Sequence, residues 1–264
     1  MKYVLVTGAY GGMGKKVVEK LVDNGYSVIA LDKFVENTTS KNVYPIKVDI
    51  TDEQSVKLAF EKVSKITNSI YAIVHFAGIY MLNSLVEISN NDFDKIIKCN
   101  FCGAFLINKT FLPMLSSGSK ILITTSELAP LSPLPFTGLY AVTKSALDKY
   151  AYSLRMELQL LGISVSVLRA GAVNTGMLNV STTALENFCE NTKLYTCNAT
   201  RFKKIVNKVE ARKINPEKIA KKTLKILGKK HPKFAYKINR NPLLLLLNAM
   251  PKKFQFWVIK KILK

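Results

Sequence analysis

Cysteine is scarce in this sequence: four occur among 264 residues, at positions 99, 102, 189 and 197. A secreted domain stapled by disulfides carries more cysteine in a shorter chain, so we expect reduced thiols and a core held by apolar packing. Cys99 and Cys102 form a C-x-x-C, but it lies within an apolar helical pattern and no second pair accompanies it. We therefore predict two packed side chains there, and no metal or redox site.

Acidic residues are also few, 18 against 39 lysines and arginines, which gives a formal net charge of +21. Residues 201–264 hold twenty of the basic residues and only two acids, Glu210 and Glu217. This imbalance favours a polyanionic partner, either an anionic membrane surface or nucleic acid. No nucleic-acid-binding motif accompanies the charge, which disfavours nucleic acid.

Two further absences bear on location. No apolar run approaches the roughly 20 residues that cross a bilayer, so no transmembrane helix is expected. Residues 2–7, KYVLVT, already form a strand pattern, which leaves no room for a signal peptide ahead of the fold. We expect a cytoplasmic protein whose contact with a membrane, where it occurs, is peripheral.

Apolar, β-rich segments alternate with helical patterns from residue 2 to residue 171. The strand patterns are continuous runs of Val, Ile and Leu, as in parallel strands covered on both faces by helices. The alternation predicts an α/β fold, a Rossmann-like doubly wound parallel sheet, with one long helix near residues 92–115. Residues 176–214 are polar and lack a strand pattern, and we interpret them as a helical substrate lid. The predicted organisation is a dinucleotide-binding domain over 1–240, which includes the lid, and a basic amphipathic C-terminal helix over 241–264.

The first strand leads into TGAYGGMGKK, a strand-to-helix turn with glycines at 8, 11, 12 and 14. Small residues there let backbone amides and the helix N-terminus approach a pyrophosphate. Asp32 ends the second strand, where a carboxylate accepts hydrogen bonds from ribose hydroxyls and repels a 2′-phosphate. The glycine turn therefore predicts a dinucleotide, and Asp32 favours NAD, although the neighbouring Lys33 leaves NADP open. Asp49, which ends the next strand, could meet the adenine or be a solvent-exposed strand end.

The stretch LYAVTKSALDKY places Tyr140 and Lys144 one helical turn apart, so both side chains lie on one helix face. A phenol titrates at about 10, and a nearby ammonium together with a positively charged nicotinamide stabilises the phenolate and lowers that pKa. The spacing alone leaves two interpretations open, a reactive pair with a lowered Tyr140 pKa or an ordinary amphipathic helix.

Five motifs in order resemble the short-chain dehydrogenase/reductase (SDR) family of single-domain type, over about residues 2–240. TGAYGGMG matches its T-G-x-x-x-G-x-G, and HFAG at 75–78 is similar to its N-N-A-G, with His75 and Phe76 in place of the asparagines. Ser126 closes the strand ILITTS where the family has its catalytic serine. Tyr140 and Lys144 form the Y-x-x-x-K, and LRAGAVNTGM is similar to R-P-G-x-V-x-T.

The resemblance implies reversible hydride transfer between a nicotinamide and a secondary alcohol or ketone. Tyr140 would be the acid/base, Ser126 would hold the substrate oxygen, and Lys144 would also bind the nicotinamide ribose. Asn100, on the long central helix, would position a water that supplies protons. The expected cofactor contacts are Thr7, Gly8, Gly12, Met13, Gly14, Asp32, Asp49, Ile50, Ala77, Gly78, Tyr140, Lys144, Gly171, Val173 and Thr175. Asn100, Ser126 and Thr175 also have structural interpretations, as a helix polar group, a strand end and a helix cap, and His75 is interpreted as a hydrogen-bonded strand-end side chain.

The tail, NPLLLLLNAMPKKFQFWVIKKILK, combines aromatic and aliphatic residues with five lysines. It is similar to tails of family members that act on steroids, retinoids and other lipids. We expect it to lie on an anionic bilayer, the alternatives being closure of the substrate cleft or contact with a second subunit.

The predicted function is an NAD-dependent dehydrogenase or ketoreductase for a hydrophobic substrate such as a steroid. One alternative is a sugar-nucleotide epimerase or dehydratase, because the glycine turn also fits T-G-x-x-G-x-x-G. Another is a non-catalytic dinucleotide sensor. By resemblance we expect a homo-oligomer, either a dimer or a tetramer.

Overall fold

A computed structural model of the protein describes residues 1–36, 38–210 and 212–264, without the side chains of 176–182 and 208–210. Part of the predicted lid therefore lies outside the described residues. The strands are β1 (Lys2–Thr7), β2 (Tyr26–Asp32), β3 (Val43–Lys47), β4 (Ala72–His75), β5 (Lys120–Thr124), β6 (Ser164–Ala170) and β7 (Ala235–Ile238). The helices are α1 (Gly12–Val22), α2 (Glu53–Ser64), α3 (Asn90–Ile97), α4 (Gly103–Phe111), α5 (Gly138–Leu158), α6 (Gly176–Asn191), α7 (Thr196–Glu210), α8 (Pro216–Leu227), α9 (Pro242–Ala249) and α10 (Lys252–Leu263).

The seven strands form one parallel sheet in the order β3-β2-β1-β4-β5-β6-β7. The strand order reverses between β1 and β4, and such a switch point opens a crevice at the carboxyl ends of the strands. This topology confirms the predicted Rossmann-like doubly wound α/β fold.

Helices cover both faces of the sheet. On one face, apolar side chains of α2, α4 and α5 pack against residues such as Leu5, Ile73 and Val165. On the other face, α1 and α8 pack against residues such as Val4 and Val74. The runs of Val, Ile and Leu are fully buried because a parallel sheet of this kind has no solvent-facing side.

The long central helix is interrupted where one helix is predicted. Between α3 and α4 the backbone forms a π-helical segment over Lys98–Cys102, and a short 3₁₀ turn over Leu112–Met114 ends the helical run. The π segment contains Asn100, whose buried side chain hydrogen-bonds the backbone of Ile79. Such bulges occur frequently at functional sites, and residue patterning at a period of 3.6 does not reveal them.

The lid region forms α6 and α7, and the tail forms two helices instead of the single one predicted. Pro251 separates α9 from α10, because proline has no backbone N–H to continue a helix and disfavours helical geometry in the residue before it. Leu263 of α10 packs with Phe188 of α6 and Phe202 of α7 in a third apolar cluster. The tail is therefore joined to the lid. Among the described residues, none of the helices combines the length and hydrophobicity needed to cross a bilayer.

Candidate active site

The carboxyl ends of four central strands bring the predicted site residues to one edge of the sheet. In the strand register Thr7 pairs with His75, His75 with Ile123, and Thr124 with Leu168. The segments that follow these strands, which carry the glycine turn, Gly78, Ser126 and Gly171, therefore face the same crevice. Two adjoining cavities occupy it, of about 750 Å³ and about 200 Å³.

The larger cavity is shaped by the glycine turn. Gly8 has a left-handed φ of 67°, and a Cβ there would lie 2.6 Å from the backbone N of Ala77. A Cβ on Gly12 would lie 2.5 Å from the Cβ of Thr175. The first turn of α1 carries no acid, and its N-cap, Gly11, has no side chain to cap the free amides. This geometry fits the pyrophosphate of a dinucleotide, which backbone amides at a helix N-terminus would hold.

Most of the predicted cofactor residues line this larger cavity. They are Gly8, Gly12, Met13, Gly14, Asp32, Asp49, Ile50, Ala77, Gly78 and Thr175. Gly171, Val173, Tyr140 and Lys144 line the smaller cavity, which also includes Met13, Gly78 and Thr175. Thr7 lines neither cavity: it is fully buried, and its hydroxyl accepts a hydrogen bond from the backbone N–H of Ala77 at 3.4 Å. Thr7 therefore supports the crevice from below.

Two carboxylates lie at the far end of the larger cavity. Asp32 accepts hydrogen bonds from the backbone N–H groups of Tyr10, at 2.9 Å, and Phe34, at 3.2 Å, which hold it beside the glycine turn. Asp49 forms an ion pair of 2.7 Å with Lys33. The hydrogen bond from Lys33 is the main cause that lowers the pKa of Asp49 to about 2. The Lys33 ammonium is therefore already paired with a carboxylate.

The structure brings Ser126, Tyr140 and Lys144 together on the wall of the smaller cavity. The Lys144 ammonium lies 5.7 Å from the centre of the Tyr140 ring. It donates a hydrogen bond to the carbonyl oxygen of Thr124 at 3.4 Å, and a Cβ on Gly78 would lie 3.3 Å from it. The Ser126 side chain interacts with the Tyr140 hydroxyl and lowers its pKa in part.

Asn100 lies behind this group. Its Oδ1 accepts a hydrogen bond from the backbone N–H of Ile79 at 2.8 Å, and its Nδ2 donates to the carbonyl oxygen of Ile79 at 3.0 Å. Nδ2 also donates to the hydroxyl of Thr143 on α5 at 3.2 Å. Asn100 therefore joins the segment after β4 to the helix that carries Tyr140 and Lys144.

In the protein without cofactor the pKa of Tyr140 is raised, whereas the sequence predicts a lowered pKa for the pair with a bound nicotinamide. Burial raises it to about 12, and the Ser126 hydrogen bond lowers it only in part. Burial also lowers the pKa of Lys144 to about 8. Both groups are desolvated, so in the protein without cofactor each favours its neutral form.

His75 has the hydrogen bonds predicted for it as a strand-end side chain. Its Nε2 pairs with Oδ1 of Asn108 at 2.9 Å, and its Nδ1 pairs with the hydroxyl of Thr7 at 3.4 Å. Burial lowers its pKa to about 4, so the imidazole is neutral at physiological pH. Cys99 and Cys102 are free and partly buried. In the described part of the chain, no cluster of three or more His, Cys, Asp or Glu side chains could hold a metal ion.

The smaller cavity is mostly apolar, and several of its walls escape motif analysis. Phe202, Ile205 and Val206 of α7 and Leu244 of α9 come from the lid and the tail. Among the described residues, Oγ1 of Thr124 on the same wall is buried without a hydrogen-bond partner. Glu127 also lines the cavity. Its position directly after Ser126 is the one feature of the sequence that could have identified it as a site residue.

A parallel sheet with a glycine turn at its switch point is typical of dinucleotide-dependent enzymes. The sequence profile described as short chain dehydrogenase matches residues 2–186, and the chain belongs to that family of oxidoreductases, which use a nicotinamide dinucleotide. One relative is the NADPH-dependent 1-acyldihydroxyacetone phosphate reductase of Schizosaccharomyces pombe, 31% identical over 66% of this chain and 60% of that protein. Another is the 3-ketodihydrosphingosine reductase of Bacteroides thetaiotaomicron, 26% identical over 94% of this chain and 91% of that protein.

The fold is also similar to that of solved structures. A short chain dehydrogenase family protein from Francisella tularensis superposes with a TM-score of 0.75, at 23% identity, over 90% of this chain and 97% of the other. This similarity supports the fold alone.

Proposed function

We propose that this protein transfers a hydride between NAD(H) and a secondary alcohol or ketone of a lipid-like substrate. The observation that carries the proposal is the grouping of Ser126, Tyr140 and Lys144 on one wall of an apolar cavity next to the cavity that fits a dinucleotide. Polar groups are concentrated where the reacting oxygen would lie, and the apolar walls would take the rest of the substrate.

The lining of the smaller cavity supports a hydrophobic substrate. Phe76, Leu128, Leu134, Phe202 and Val206 contribute apolar surface. Two relatives carry names of lipid ketone reductases, one for an acyldihydroxyacetone phosphate and one for 3-ketodihydrosphingosine. The proposed substrate class is therefore a lipid ketone, steroids included.

The roles of the three residues follow from their contacts. A bound nicotinamide supplies or accepts the hydride. In ketone reduction the Tyr140 hydroxyl donates its proton to the substrate oxygen, and Ser126 holds that oxygen beside it by a hydrogen bond. The ammonium of Lys144, fixed at the cavity wall, stabilises the negative charge that the phenol acquires as the proton leaves.

Replacing Tyr140 with phenylalanine tests this chemistry. We expect turnover of an accepted ketone to fall by at least ~100-fold, because the proton donor is lost, while NADH binding stays nearly unchanged. Tyr152→Phe is the matched control, since Tyr152 lies on the same helix and is 54% exposed. A panel of long-chain ketones, steroids and retinoids, read by nicotinamide absorbance, supplies the substrate. Unchanged turnover in Tyr140→Phe would remove the assigned role. Cofactor binding without turnover across the panel would favour the dinucleotide sensor.

Asp32 supports a preference for NAD over NADP. Its carboxylate is held at the end of β2 by two backbone amides, and a 2′-phosphate there would be repelled. Lys33, the nearest candidate for a phosphate contact in the sequence, is paired with Asp49. We expect kcat/KM to be higher with NADH than with NADPH, and Asp32→Ser to shift the ratio toward NADPH by about tenfold or more. A wild-type preference for NADPH would refute this part of the proposal.

The tail helices carry a surface suited to an anionic bilayer. Phe256, Trp257, Leu243 and Leu246 are each more than half exposed. The exposed lysines of α10 and its end are Lys252, Lys253, Lys260, Lys261 and Lys264. Aromatic rings at headgroup depth with lysines toward lipid phosphates are the arrangement of an interfacial helix.

Vesicle flotation tests this surface. The full chain should float with phosphatidylserine vesicles and much less with phosphatidylcholine, and the paired change Phe256→Ser and Trp257→Ser should abolish flotation. Leu160→Ser is the control, because Leu160 is 83% exposed on the main domain, outside the tail. Equal flotation of the paired variant and the control would refute the membrane contact.

A homo-oligomer is proposed through α4 and α5. Phe105 on α4 and Val142 and Met156 on α5 are 42%, 47% and 50% exposed, which leaves apolar surface for a second copy. Light scattering at micromolar concentration should give the mass of a dimer or tetramer, and a monomer mass would refute it.

A further inference from the structure

Glu127 is an acidic residue in the mostly apolar lining of the substrate cavity. It follows Ser126 in the segment after β5, lines the same cavity as Tyr140, and is 6% exposed. A carboxylate in such surroundings destabilises the fold unless a hydrogen-bond donor meets it. The group that donates a hydrogen bond to the Glu127 carboxyl group is therefore the group that Glu127 holds in place.

The donor comes from the start of the tail. Oε2 of Glu127 accepts a hydrogen bond from the backbone N–H of Asn241 at 2.6 Å, across 114 residues of sequence. The backbone N–H of Glu127 donates to the carbonyl oxygen of Ala170 at 2.9 Å, which fixes the residue on the sheet. Its Oε1 lies over Gly171, where a Cβ would be 3.0 Å away. The carboxyl group is therefore held between the sheet and the tail.

Asn241 sets the direction of α9. Its side chain accepts a hydrogen bond from the backbone N–H of Leu243 at 2.9 Å and so caps the helix, and the residue is 6% exposed. Two positions earlier, Asn239 has a left-handed φ of 53° and donates hydrogen bonds of 2.8 Å to the carbonyl oxygens of Ala172 and Arg212. The junction at residues 239–241 is therefore hydrogen-bonded to Glu127 after β5, to Ala172 after β6 and to Arg212 at the end of the predicted lid region.

Leu244, the third residue of α9, lines the substrate cavity. Its position depends on the angle at which α9 leaves Asn241. Through Asn241, the carboxylate of Glu127 therefore fixes a cavity wall supplied by the tail.

We propose that Glu127 is a positioning residue that holds α9 in place as the wall of the substrate cavity, so that the apolar part of the substrate packs against Leu244. The proposal deepens the proposed function, on which its substrate readout rests. A long acyl chain would reach this wall, whereas a small ketone would occupy only the region beside Ser126 and Tyr140.

Three variants test the proposal. Glu127→Ala removes the acceptor, Glu127→Gln keeps an amide oxygen that can accept the same hydrogen bond, and Leu244→Ala removes the wall without touching the junction. Hydrogen exchange of backbone amides in 241–249 reports on the seating of α9 without any substrate. Fluorescence of Trp257, the single tryptophan in the sequence, reports on the tail as a whole.

In Glu127→Ala we expect exchange in 241–249 to speed up by about tenfold or more, because the hydrogen bond to the buried Glu127 carboxyl group is lost. The KM for a long-chain ketone should rise by about tenfold while kcat stays within about twofold, and the KM for a small ketone should rise by much less. Glu127→Gln should keep both the exchange rate in 241–249 and the KM for the long-chain ketone near the wild-type values. Leu244→Ala should raise the same KM without faster exchange at Asn241.

Unchanged exchange in Glu127→Ala would overturn the proposal, and so would equal KM changes for long and small ketones. Failure of Glu127→Gln to restore either readout would also count against it. If α9 loosens as expected but no ketone is accepted by the wild type, the proposed function fails while the anchoring of the tail by Glu127 stands.

Discussion

Replacing Lys144 with methionine should make the cofactor-free protein more stable while it removes activity. The Lys144 side chain is buried, and burial is the main cause that lowers its pKa to about 8 from the usual 10.5. Folding therefore disfavours the charged form, and the protein is less stable for as long as that charge is present.

The size of the effect follows from the two pKa values. At pH 7 their difference corresponds to about 3 kcal/mol of unfolding free energy, since each pKa unit is worth about 1.4 kcal/mol. Methionine keeps the length of the side chain and removes the charge. The lost hydrogen bond to the carbonyl oxygen of Thr124 spans 3.4 Å, which is long for an N–H···O bond, so it offsets little. We expect Lys144→Met to gain about 2 to 3 kcal/mol.

Urea unfolding without cofactor at several pH values measures the gain. Lys149→Met is the matched control, because Lys149 is exposed on the same helix. Below pH 8 the folded wild type carries the buried charge and the advantage of the variant is complete. Between pH 8 and 10.5 only the unfolded chain keeps this proton, so wild-type stability rises with pH relative to the variant and the advantage disappears. A Lys144→Met protein no more stable than Lys149→Met at pH 7, or an advantage independent of pH, would refute the reasoning.

Further predictions concern residues in and around the site. Asp148→Ala should destabilise the protein by about 2 kcal/mol in denaturant unfolding, because it leaves Arg169, paired with Asp148 at 2.6 Å, as a partly buried cation without its partner. Phe136 has a left-handed φ of 65° and contacts the rings of three lid residues, so Phe136→Ala should expose α6 and α7 to proteolysis. Phe136→Gly should be no less stable than Phe136→Ala, since glycine relieves about 1 kcal/mol of backbone strain. Because burial raises the pKa of Tyr140, alcohol oxidation should speed up as pH rises from 7 to 10 while ketone reduction does not, which steady-state kinetics in both directions would check.

The sequence predicts the sheet well, because the central strands are continuous apolar runs and such runs indicate burial on both faces. Runs such as VLV in β1 and AIV in β4 are fully buried on both faces, and no long-range information is needed to recognise them. The same holds for Tyr140 and Lys144, whose common face follows from helix geometry over four residues. Local rules therefore place the two residues on one helix face.

Contacts between distant segments could not be read in the same way. The hydrogen bond between Glu127 and Asn241 joins residues 114 apart, and neither belongs to a motif. The packing of Leu263 on Phe202 likewise depends on how the tail folds back over the lid. Sequence patterning shows that the tail is amphipathic. Only the tertiary structure shows that its apolar side packs against α6 and α7.

The direction of the Tyr140 pKa shift illustrates the same limit. A lysine one turn away predicts a lowered pKa only if the site is wet enough that charge attraction exceeds the cost of desolvation. Here the sheet, the lid and the tail remove water from both groups, so the phenol keeps its proton and the ammonium loses its proton more readily. In the protein alone Tyr140 is therefore set to donate a proton, as ketone reduction requires. The walls that make the cavity suitable for a lipid also favour the acid form of the residue that would act on it.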